Sequence, residues 1–370
     1  MVSVAPTRMG LQIQKYHRLF AKGFARNGEK TVALSYHYGA ENAVPLPDSE
    51  SEDGIEYAYI RSSGKSGFRH VSVLVRAFLK TTKLLKENPD AFVVCDVLNL
   101  SISLGTLLAA LIAKREIVGI VTDFPDMVTS SPQAGGPYWW LIRHCTSYVL
   151  LTEAMRERIS TEGKKYIVLE GHVDKAMSDM EERATAKWPG IHCIYAGGLH
   201  RKYGIEKLVK AFCLADVANA TLHIYGDGDY AQELRNLHDA RIVYHGIAQN
   251  DEVVQAELHA AVLINPRPTD EEFTRYSFPS KNMEYMASGT PVLTTNLPGM
   301  PDEYRDYVYL FDDESIEGMA QTLRQVLSKP EQELSEMGRR AKQFVLSRKN
   351  NVVQAKKVIE MMGSRDSRDV

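Results

Sequence analysis

Short apolar segments alternate along this chain with longer amphipathic ones, and this alternation is what most constrains the fold. The apolar, β-branched segments predict strands, and the segments between them carry helical periodicity. In the first half the predicted strands are 31–35, 91–95, 117–122, 147–152 and 166–169, with helices that include 14–27 and 68–86. Such alternation is typical of α/β proteins, in which helices cover both faces of parallel sheets.

The alternation breaks near residues 171–190 and then resumes. In the second half we predict strands at 192–196, 221–225, 242–245, 261–264 and 291–294, and helices at 204–215, 230–238, 251–260, 281–288 and 316–328. A chain of 370 residues is too long for one ordinary core. We therefore predict a Rossmann-like domain at 1–172, a linker at 173–190, a second Rossmann-like domain at 191–348, and a helix within 349–370 that returns to the first domain.

Composition excludes several classes of function. The formal net charge of -3 gives no sign of nucleic-acid binding. The four cysteines are far apart and lie in apolar segments, which predicts buried thiols and no metal site. The N-terminus does not resemble a signal peptide, and the longest apolar stretch, 98–113, is too short and too polar to span a bilayer. These features predict a cytoplasmic protein.

Residues 275–292 predict a loop, a helix and a strand with ligand-binding chemistry at the start of the helix. Ser280 is positioned to cap that helix, whose first N–H groups form an anion site. Lys281 adds a positive charge where the helix dipole disfavours one, which a bound diphosphate would explain. Glu284 lies one turn later on the same face, where a carboxylate can accept hydrogen bonds from ribose hydroxyls. The turn from Ser277 to Glu284 is therefore predicted to bind a diphosphate and a ribose.

This segment resembles the family 4 retaining glycosyltransferases of the GT-B fold, and most closely those that build bacterial exopolysaccharides or capsules. Further similarity extends across the second domain and is weaker in the first. In the second domain it lies in 195–199, 201–208, 224–228, 233–234, 245–246 and 265–267, and in the first domain in 9–12, 122–123 and 150–155. The resemblance implies two Rossmann-like domains that face each other across a cleft.

The resemblance also implies an activity and a set of site residues. The activity is transfer of a hexosyl group, with retention, from a nucleotide diphosphate sugar, most often a UDP-sugar, to a glycan or a polyprenyl-pyrophosphate-linked acceptor; neither a metal nor a separate cofactor is expected. The catalytic candidates are Asp123, Arg201, Lys202 and Lys281. The nucleotide-binding candidates are Gly10, Gly198, Gly226, Gly228, Gly246, Ser277, Ser280 and Glu284.

Two of these candidates have more than one reading. Asp123 follows a predicted strand, and it is interpreted either as a base, as an acceptor for sugar hydroxyls, or as a loop or helix-capping residue. Gly10 either lines the donor phosphates or permits a tight turn.

The chain departs from the family pattern at three positions. Tyr276 stands where the family has the first of two glutamates, so the sugar contacts are open, and Glu271 or Glu272 is a possible substitute. Pro279 replaces a usual glycine and removes one backbone donor. Gly198 stands where an arginine is common, which leaves Arg201 and Lys202 as the phosphate partners.

The predicted helix 68–86 has a second interpretation. No acidic residue occurs from Arg61 to Lys86, whereas seven basic residues do, and apolar residues recur at helical spacing. Such a basic amphipathic helix is typical of a membrane surface, but a core helix with a solvated basic face has the same pattern. A peripheral position on the inner face of the membrane would suit a lipid-linked acceptor.

Three other functions remain open at this point. A nicotinamide-dependent oxidoreductase also uses Rossmann-like sheets, but the chain lacks GxGxxG after its first predicted strand. A pseudo-glycosyltransferase that binds a nucleotide or activates a partner is compatible with Tyr276. A nucleotide-sugar epimerase would interconvert donor sugars without an acceptor.

Overall fold

A computed structural model describes residues 15–36, 48–61, 66–128, 132–178 and 187–363. The strands are β1 (Thr31–Tyr36), β2 (Ser49–Glu52), β3 (Ile55–Ile60), β4 (Val93–Asp96), β5 (Ile117–Val121), β6 (Ser147–Leu150), β7 (Lys165–Val168), β8 (Ile191–Ala196), β9 (Ala220–Tyr225), β10 (Ile242–Gly246), β11 (Val262–Asn265), β12 (Val292–Thr295) and β13 (Tyr309–Phe311). The α-helices are α1 (Lys15–Arg26), α2 (Ser66–Glu87), α3 (Leu100–Ile112), α4 (Pro125–Val128), α5 (Pro132–His144), α6 (Ile205–Ala215), α7 (Ala231–Asn236), α8 (Asn250–His259), α9 (Ser280–Ser288), α10 (Ile316–Leu327), α11 (Glu331–Arg348) and α12 (Asn351–Gly363).

The chain divides into two compact units. Unit 1 comprises residues 1–172 together with 350–370, and unit 2 comprises residues 173–349. The last helix of the chain, α12, therefore belongs to the unit that contains the N-terminal half.

Unit 1 contains a parallel sheet in the order β4-β5-β6-β7 and a smaller sheet in the order β1-β3-β2. All five residues of β5 are buried, as expected for a continuous apolar strand covered on both faces. In the smaller sheet β1 and β3 are parallel and β2 is antiparallel to β3. One core cluster joins α1 and α12 to the larger sheet; it contains Phe20, Phe24, Val94, Val118, Ile120, Val149, Leu169, Ala355 and Val358.

Close backbone contact fixes α12 against α1. A Cβ atom on Gly23 of α1 would lie 2.1 Å from the Asn351 carbonyl oxygen, so only glycine fits there. The buried Asn351 amide donates a hydrogen bond to the Leu19 carbonyl at 2.8 Å. The Gln354 amide donates in the same way to the Gly171 carbonyl at 3.0 Å. These polar contacts give the helix pair a defined register.

Unit 2 contains one sheet of six parallel strands in the order β10-β9-β8-β11-β12-β13. Apolar side chains cover both faces. One face packs on α6, α7 and α10 through residues such as Leu208, Phe212 and Leu323. The other packs on α8, α9 and α11 through residues such as Met286 and Phe344. This is the arrangement of a doubly wound Rossmann-like domain.

The structure confirms the predicted parallel sheets and adds elements that were not predicted. The antiparallel strand β2 was missed because its sequence, 49–52, is polar and lacks an apolar face. Helix α11 was missed because its sequence is largely charged and only a narrow stripe is buried, including Leu334, Ala341 and Phe344. Gly338 brings α11 onto the end of α9, since a Cβ there would lie 2.0 Å from the Gly289 carbonyl oxygen.

Candidate functional site

The carboxyl edge of the six-stranded sheet contains the point at which the strand order reverses. β8 lies between β9 and β11, so the chain leaves the sheet in opposite directions on its two sides. In open parallel sheets, ligands bind in the crevice outside the carboxyl ends of the strands at such a switch point. Here the flanking loops are 197–200 after β8 and 266–269 after β11.

Glycines bring three of the edge loops into backbone contact. A Cβ on Gly226 would lie 1.9 Å from the Gly197 carbonyl oxygen, and Gly226 has a φ of +129°. A Cβ on Gly228 would lie 2.5 Å from the Leu199 carbonyl carbon. A Cβ on Gly204, which has a φ of +82°, would lie 2.0 Å from the Pro266 carbonyl oxygen. The predicted roles of Gly226 and Gly228 in nucleotide binding stay predictions, but both residues have a clear packing role.

Backbone hydrogen bonds hold the same loops in place. The Leu199 amide donates to the Asp227 carbonyl at 2.9 Å, and the Gly226 amide donates to the Gly246 carbonyl at 2.7 Å. The Tyr195 hydroxyl donates to the Gly198 carbonyl at 2.7 Å. The candidate glycines 198, 226 and 246 therefore belong to one hydrogen-bonded group of loops at the edge of the sheet.

The start of α9 differs from the prediction for Ser280. Pro279 occupies the cap position, and Ser280 is the exposed first residue of the helix. The predicted cap by Ser280 is therefore wrong: Pro279 keeps an extended backbone, with φ −72° and ψ 101°, and Ser280 is already the first residue of the helix. No side chain among the described residues caps α9. Two residues earlier in the chain, the Ser277 hydroxyl is buried and has no hydrogen-bond partner within the described part of the chain.

Lys281 and Glu284 form an ion pair on the first turn of α9. The lysine Nζ lies 3.4 Å from the glutamate Oε2, and the two side chains are 41% and 37% exposed. A pair this exposed contributes about 0.2–1 kcal/mol, so a ligand can separate the two groups at little cost. The predicted contacts of Lys281 with a diphosphate and of Glu284 with a ribose stay predictions.

Two buried polar contacts fix α9 relative to the sheet. The Tyr285 hydroxyl donates to the Ala196 carbonyl at 3.2 Å and accepts from the Ala196 amide at 2.9 Å. Burial raises the pKa of Tyr285 well above its usual value, so the phenol stays protonated and can donate. The Asn282 side chain accepts from Asn265 at 2.7 Å and donates to Thr294 at 3.2 Å. The first two turns of α9 are thus tied to β8, β11 and β12.

Arg201 has partners that compete with its predicted phosphate contact. Its guanidinium forms ion pairs with Glu206 and Glu233 and stacks over the Tyr230 ring, with Cζ 5.0 Å from the ring centroid. These carboxylates raise the pKa of Arg201, the largest effect being the hydrogen bond to Glu206. The neighbouring Lys202 Nζ lies 5.3 Å from the Tyr203 ring centroid. Neither phosphate contact is tested by the structure, and the charge of Arg201 is already balanced.

Arg267 is a candidate cation that the sequence analysis did not include in the site. It follows β11 at the switch point, and its Cζ lies 5.0 Å from the Tyr203 ring centroid and 5.5 Å from that of Phe273. Burial raises the pKa of Tyr195 on β8, and the positive charge of Arg267 offsets part of that rise. Its position directly after a buried strand, in the segment 262–267, was the available sequence signal.

Tyr276 packs as a core residue. Its side chain is 6% exposed, and its amide donates to the Phe273 carbonyl at 3.1 Å. An ionised carboxylate at this position would be costly to bury without a partner. The tyrosine is therefore accommodated as part of the packed turn before α9.

Unit 1 holds a second group of polar residues at the carboxyl edge of its parallel sheet. Asp123 follows β5 and is half-buried, and its predicted catalytic role stays a prediction. The buried His17 ring was missed; its Nε2 lies 3.4 Å from Asp96 Oδ2 at the end of β4. His17 Nδ1 is buried and has no hydrogen-bond partner among the residues that the structure describes. Gly10 lies outside the described residues.

A row of three histidines crosses β8, β9 and β10. His192 Nε2 lies 3.0 Å from the Pro189 carbonyl, His223 Nε2 lies 2.9 Å from His192 Nδ1, and His245 Nε2 lies 3.0 Å from His223 Nδ1. Since a carbonyl only accepts, His192 donates to Pro189 through Nε2, and the other two contacts are satisfied when His223 and His245 also donate through Nε2. Burial, together with the other two histidines, lowers the pKa of His223 to about 4. The His245 ring also stacks on Tyr225, with centroids 4.2 Å apart.

Comparison with solved structures identifies the architecture. Sucrose-phosphate synthase from Thermosynechococcus elongatus is 14% identical, with a TM-score of 0.66 over 98% of both chains. HepE from Anabaena, solved with UDP-glucose, is 14% identical, with a TM-score of 0.63 over 98% of this chain and 99% of that one. Trehalose 6-phosphate synthase from Burkholderia multivorans is 12% identical, with a TM-score of 0.64 over 98% and 97%.

The chain has the GT-B fold. At these identities the similarity establishes the fold alone. Residues 190–329, which lie within unit 2, match the model of the family described as glycosyl transferases group 1. No curated protein matches the sequence.

Proposed function

We propose that the protein is a retaining glycosyltransferase of family 4. In this proposal it transfers a hexosyl group from a UDP-sugar to a glycan or a lipid-linked acceptor during polysaccharide biosynthesis. Unit 2 binds the donor, and unit 1 supplies acceptor-side residues, including Asp123. The observation that carries the proposal is the fixed position of the first turn of α9 at the carboxyl edge of the group 1 glycosyltransferase domain.

The chemistry of that turn suits a nucleotide diphosphate. The first N–H groups of α9, which no described side chain caps, and the positive end of the helix dipole favour an anion. Lys281 adds a full charge, and the Ser277 hydroxyl, which has no hydrogen-bond partner among the described residues, offers a further donor from the preceding loop. Glu284, one turn into the helix, is assigned to the ribose hydroxyls. UDP is favoured because HepE was solved with UDP-glucose, and it shares this fold.

The proposed catalysis is electrostatic. As the glycosidic bond to the donor breaks, negative charge develops on the departing diphosphate, and positive groups aimed at it lower the barrier. Lys281 is placed in this role first, Lys202 second, and Arg201 only if it leaves its carboxylate partners. Asp123 is assigned to the acceptor hydroxyl as a base or a hydrogen-bond acceptor. Front-face attack, the mode implied by the resemblance to family 4, would retain the anomeric configuration.

A thermal-shift series tests donor binding. The wild-type protein is heated with UDP-glucose, other UDP-sugars, GDP-sugars and ADP-sugars at saturating concentration. A donor present at a hundred times its Kd stabilises the folded protein by about 2.7 kcal/mol. We expect one UDP-sugar to raise the Tm selectively, and Lys281→Ala and Glu284→Ala each to reduce that shift at the same concentration.

Lys356 and Glu360 of α12 provide a matched control. They also form an exposed lysine–glutamate pair on a helix, with Nζ 3.8 Å from Oε1, but they lie in unit 1. Lys356→Ala and Glu360→Ala should leave the donor-induced shift unchanged. Equal shifts in both sets of variants, or no stabilisation by any sugar nucleotide, would refute the proposed site.

A pseudo-glycosyltransferase is the second candidate, and the buried Tyr276 favours it. The carboxylate that the family places near the donor sugar is replaced by a packed phenol. Such a protein would bind UDP through α9 without turning over the sugar. Release of UDP from the UDP-sugar identified above, measured with and without glycan acceptors, separates the two: sustained UDP release supports the enzyme, and binding without release supports the pseudo-enzyme.

We also propose a peripheral membrane position for the acceptor-side unit, with a polyprenyl-pyrophosphate-linked acceptor. The basic helix α2 supports this assignment, because an anionic lipid-linked substrate and an anionic membrane surface both favour positive charge nearby.

A further inference from the structure

The outer face of α2 carries a line of exposed apolar side chains. Phe68 is 80% exposed, Val71 59%, Val75 46% and Leu79 59%. The spacing of three, four and four residues places them along one side of the helix. Single exposed apolar residues are ordinary, but four in a line form a continuous apolar strip, and such a strip marks an interaction surface.

This strip is not a core face turned outward. The opposite side of α2 is already packed, with Val73 and Ala77 fully buried. Gly105 of α3 brings the two helices into backbone contact, since a Cβ there would lie 2.2 Å from the Leu74 carbonyl oxygen. Rotation of α2 to bury the strip would break this contact. One apolar face of α2 therefore packs inside the protein, and the second is exposed as a binding surface.

Positive charge borders the strip. Arg69, Arg76 and Lys80 follow along one edge of the helix, and Lys83 and Lys86 continue the outer face beyond Leu79. From residue 61 to residue 86 the sequence contains no aspartate or glutamate, and Glu87 is the last residue of α2. Lysine and arginine can lay their aliphatic stems on an apolar layer while their charges reach phosphate groups.

We propose that this face of α2 docks on an anionic lipid bilayer. The helix lies parallel to the surface, the strip Phe68–Val71–Val75–Leu79 enters the layer below the headgroups, and the basic edge contacts lipid phosphates. Among the described residues, no helix combines the length and apolar character that crossing a bilayer requires. This inference names the residues through which the membrane position of the proposed function is reached. It rests on the proposed function only for the nature of the acceptor.

A second copy of the chain fits the face less well. A two-fold interface would place the same surface of each copy together, and the basic edges of two α2 helices would then repel each other. A bilayer that contains anionic lipid matches both the apolar strip and the charge.

Vesicle co-sedimentation of the full chain tests the inference. Neutral phosphatidylcholine vesicles are compared with vesicles that also contain about 30 mol % phosphatidylglycerol, an anionic surface of the kind that attracts basic segments. We expect binding at least about tenfold tighter to the anionic vesicles, decreasing as salt is added. Val75→Glu and Leu79→Glu should each lower vesicle binding by about tenfold or more, because a charge then enters the apolar layer.

Leu214→Glu is the matched control, since Leu214 lies in α6 of unit 2 and is 46% exposed, as Val75 is. Its vesicle binding should equal that of the wild type. Equal binding to neutral and anionic vesicles, or full binding by Leu79→Glu, would overturn the inference. So would a dimer, detected by light scattering, that Leu79→Glu dissociates. The donor-induced thermal shift is measured on the same variants: a shift that persists without vesicle binding rejects the docking face and the membrane position, and leaves the proposed donor binding and glycosyl transfer standing.

Discussion

Tyr285 gives the sharpest test of how α9 is held. Its hydroxyl forms two buried hydrogen bonds with Ala196, the last residue of β8, one as donor and one as acceptor. Tyr285 is 1% exposed and Ala196 4% exposed, so water cannot replace the hydroxyl without a rearrangement. In Tyr285→Phe the ring still fills its space, but the Ala196 amide loses this partner.

The expected cost follows from those two bonds. A lost neutral hydrogen bond costs about 0.5–1.5 kcal/mol, and a buried N–H group left without a partner costs about 1–3 kcal/mol. We therefore expect Tyr285→Phe to lower the free energy of unfolding of unit 2 by about 2–4 kcal/mol. For a domain of this size that corresponds to a fall in Tm of roughly 4–16 °C. Donor affinity should also fall, because Lys281 and Glu284 lie on the same helix.

Tyr309→Phe is the matched control in the same unit. The Tyr309 hydroxyl is buried and has no hydrogen-bond partner within the described residues, so its removal should change stability by less than about 0.5 kcal/mol or increase it. Calorimetry of the full chain measures the transition of unit 2, and hydrogen exchange of peptides from 191–300 locates the change. Equal effects of the two substitutions, or a loss below about 0.5 kcal/mol for Tyr285→Phe, would refute this assignment of the hydrogen bonds.

Three further perturbations test other parts of the structure. The folded pKa of His223 is lowered to about 4, so below the unfolded value of about 6.5 the unfolded chain takes up a proton that the native state does not. The contribution of His223 to stability should be constant above about pH 6.5 and fall by about 1–2 kcal/mol by pH 4, allowing for partial exposure. His223→Leu should flatten this part of a pH series of urea unfolding curves. Gly226→Ala should lower the free energy of unfolding by more than about 2 kcal/mol and weaken UDP-sugar binding, because the methyl group collides with the Gly197 carbonyl at a positive φ. Urea unfolding measures the first effect, and the donor thermal shift measures the second. Gly23→Ala should destabilise unit 1 by a similar amount, because the methyl group collides with the Asn351 carbonyl, and should leave the donor-induced thermal shift unchanged. A donor-induced shift that also falls would show that the two units are not independent in this respect.

The sequence predicted the parts of the fold that local pattern controls. The parallel strands other than β3 and β13, which were missed, are apolar segments, and α9 ends where Gly289 adopts a φ of +83°, so the positions of these elements follow from neighbouring residues. The candidate turn before α9 was predicted for the same reason: serine, lysine and glutamate occur at helix spacing within it. The cap was misplaced by one residue because Pro279 and Ser280 are both acceptable at a helix start.

Contacts between distant segments were beyond the reach of that reasoning. The partners of Arg201 include Glu233, 32 residues later in the chain, which becomes a neighbour only when α7 packs beside the loop after β8. The histidine row needs the strand order β10-β9-β8, which no local pattern specifies. His17 and Asp96 are 79 positions apart and meet only through the packing of α1 and β4.

The cations at the edge of unit 2 are of two kinds. Some stabilise the protein through ion pairs, and others are available to a ligand. Arg201 is paired with two carboxylates from two helices, so moving it to a phosphate would leave both acidic groups without that partner. Lys281 is paired with the Glu284 carboxylate, and a ribose would bind that carboxylate at the same time as a diphosphate binds the lysine. Binding of the whole nucleotide would thus give both Lys281 and Glu284 a new partner, whereas binding of phosphate alone would give one only to Lys281. The pair on α9 is therefore suited to recognise a nucleotide diphosphate as a unit, and an isolated phosphate should be a much weaker ligand.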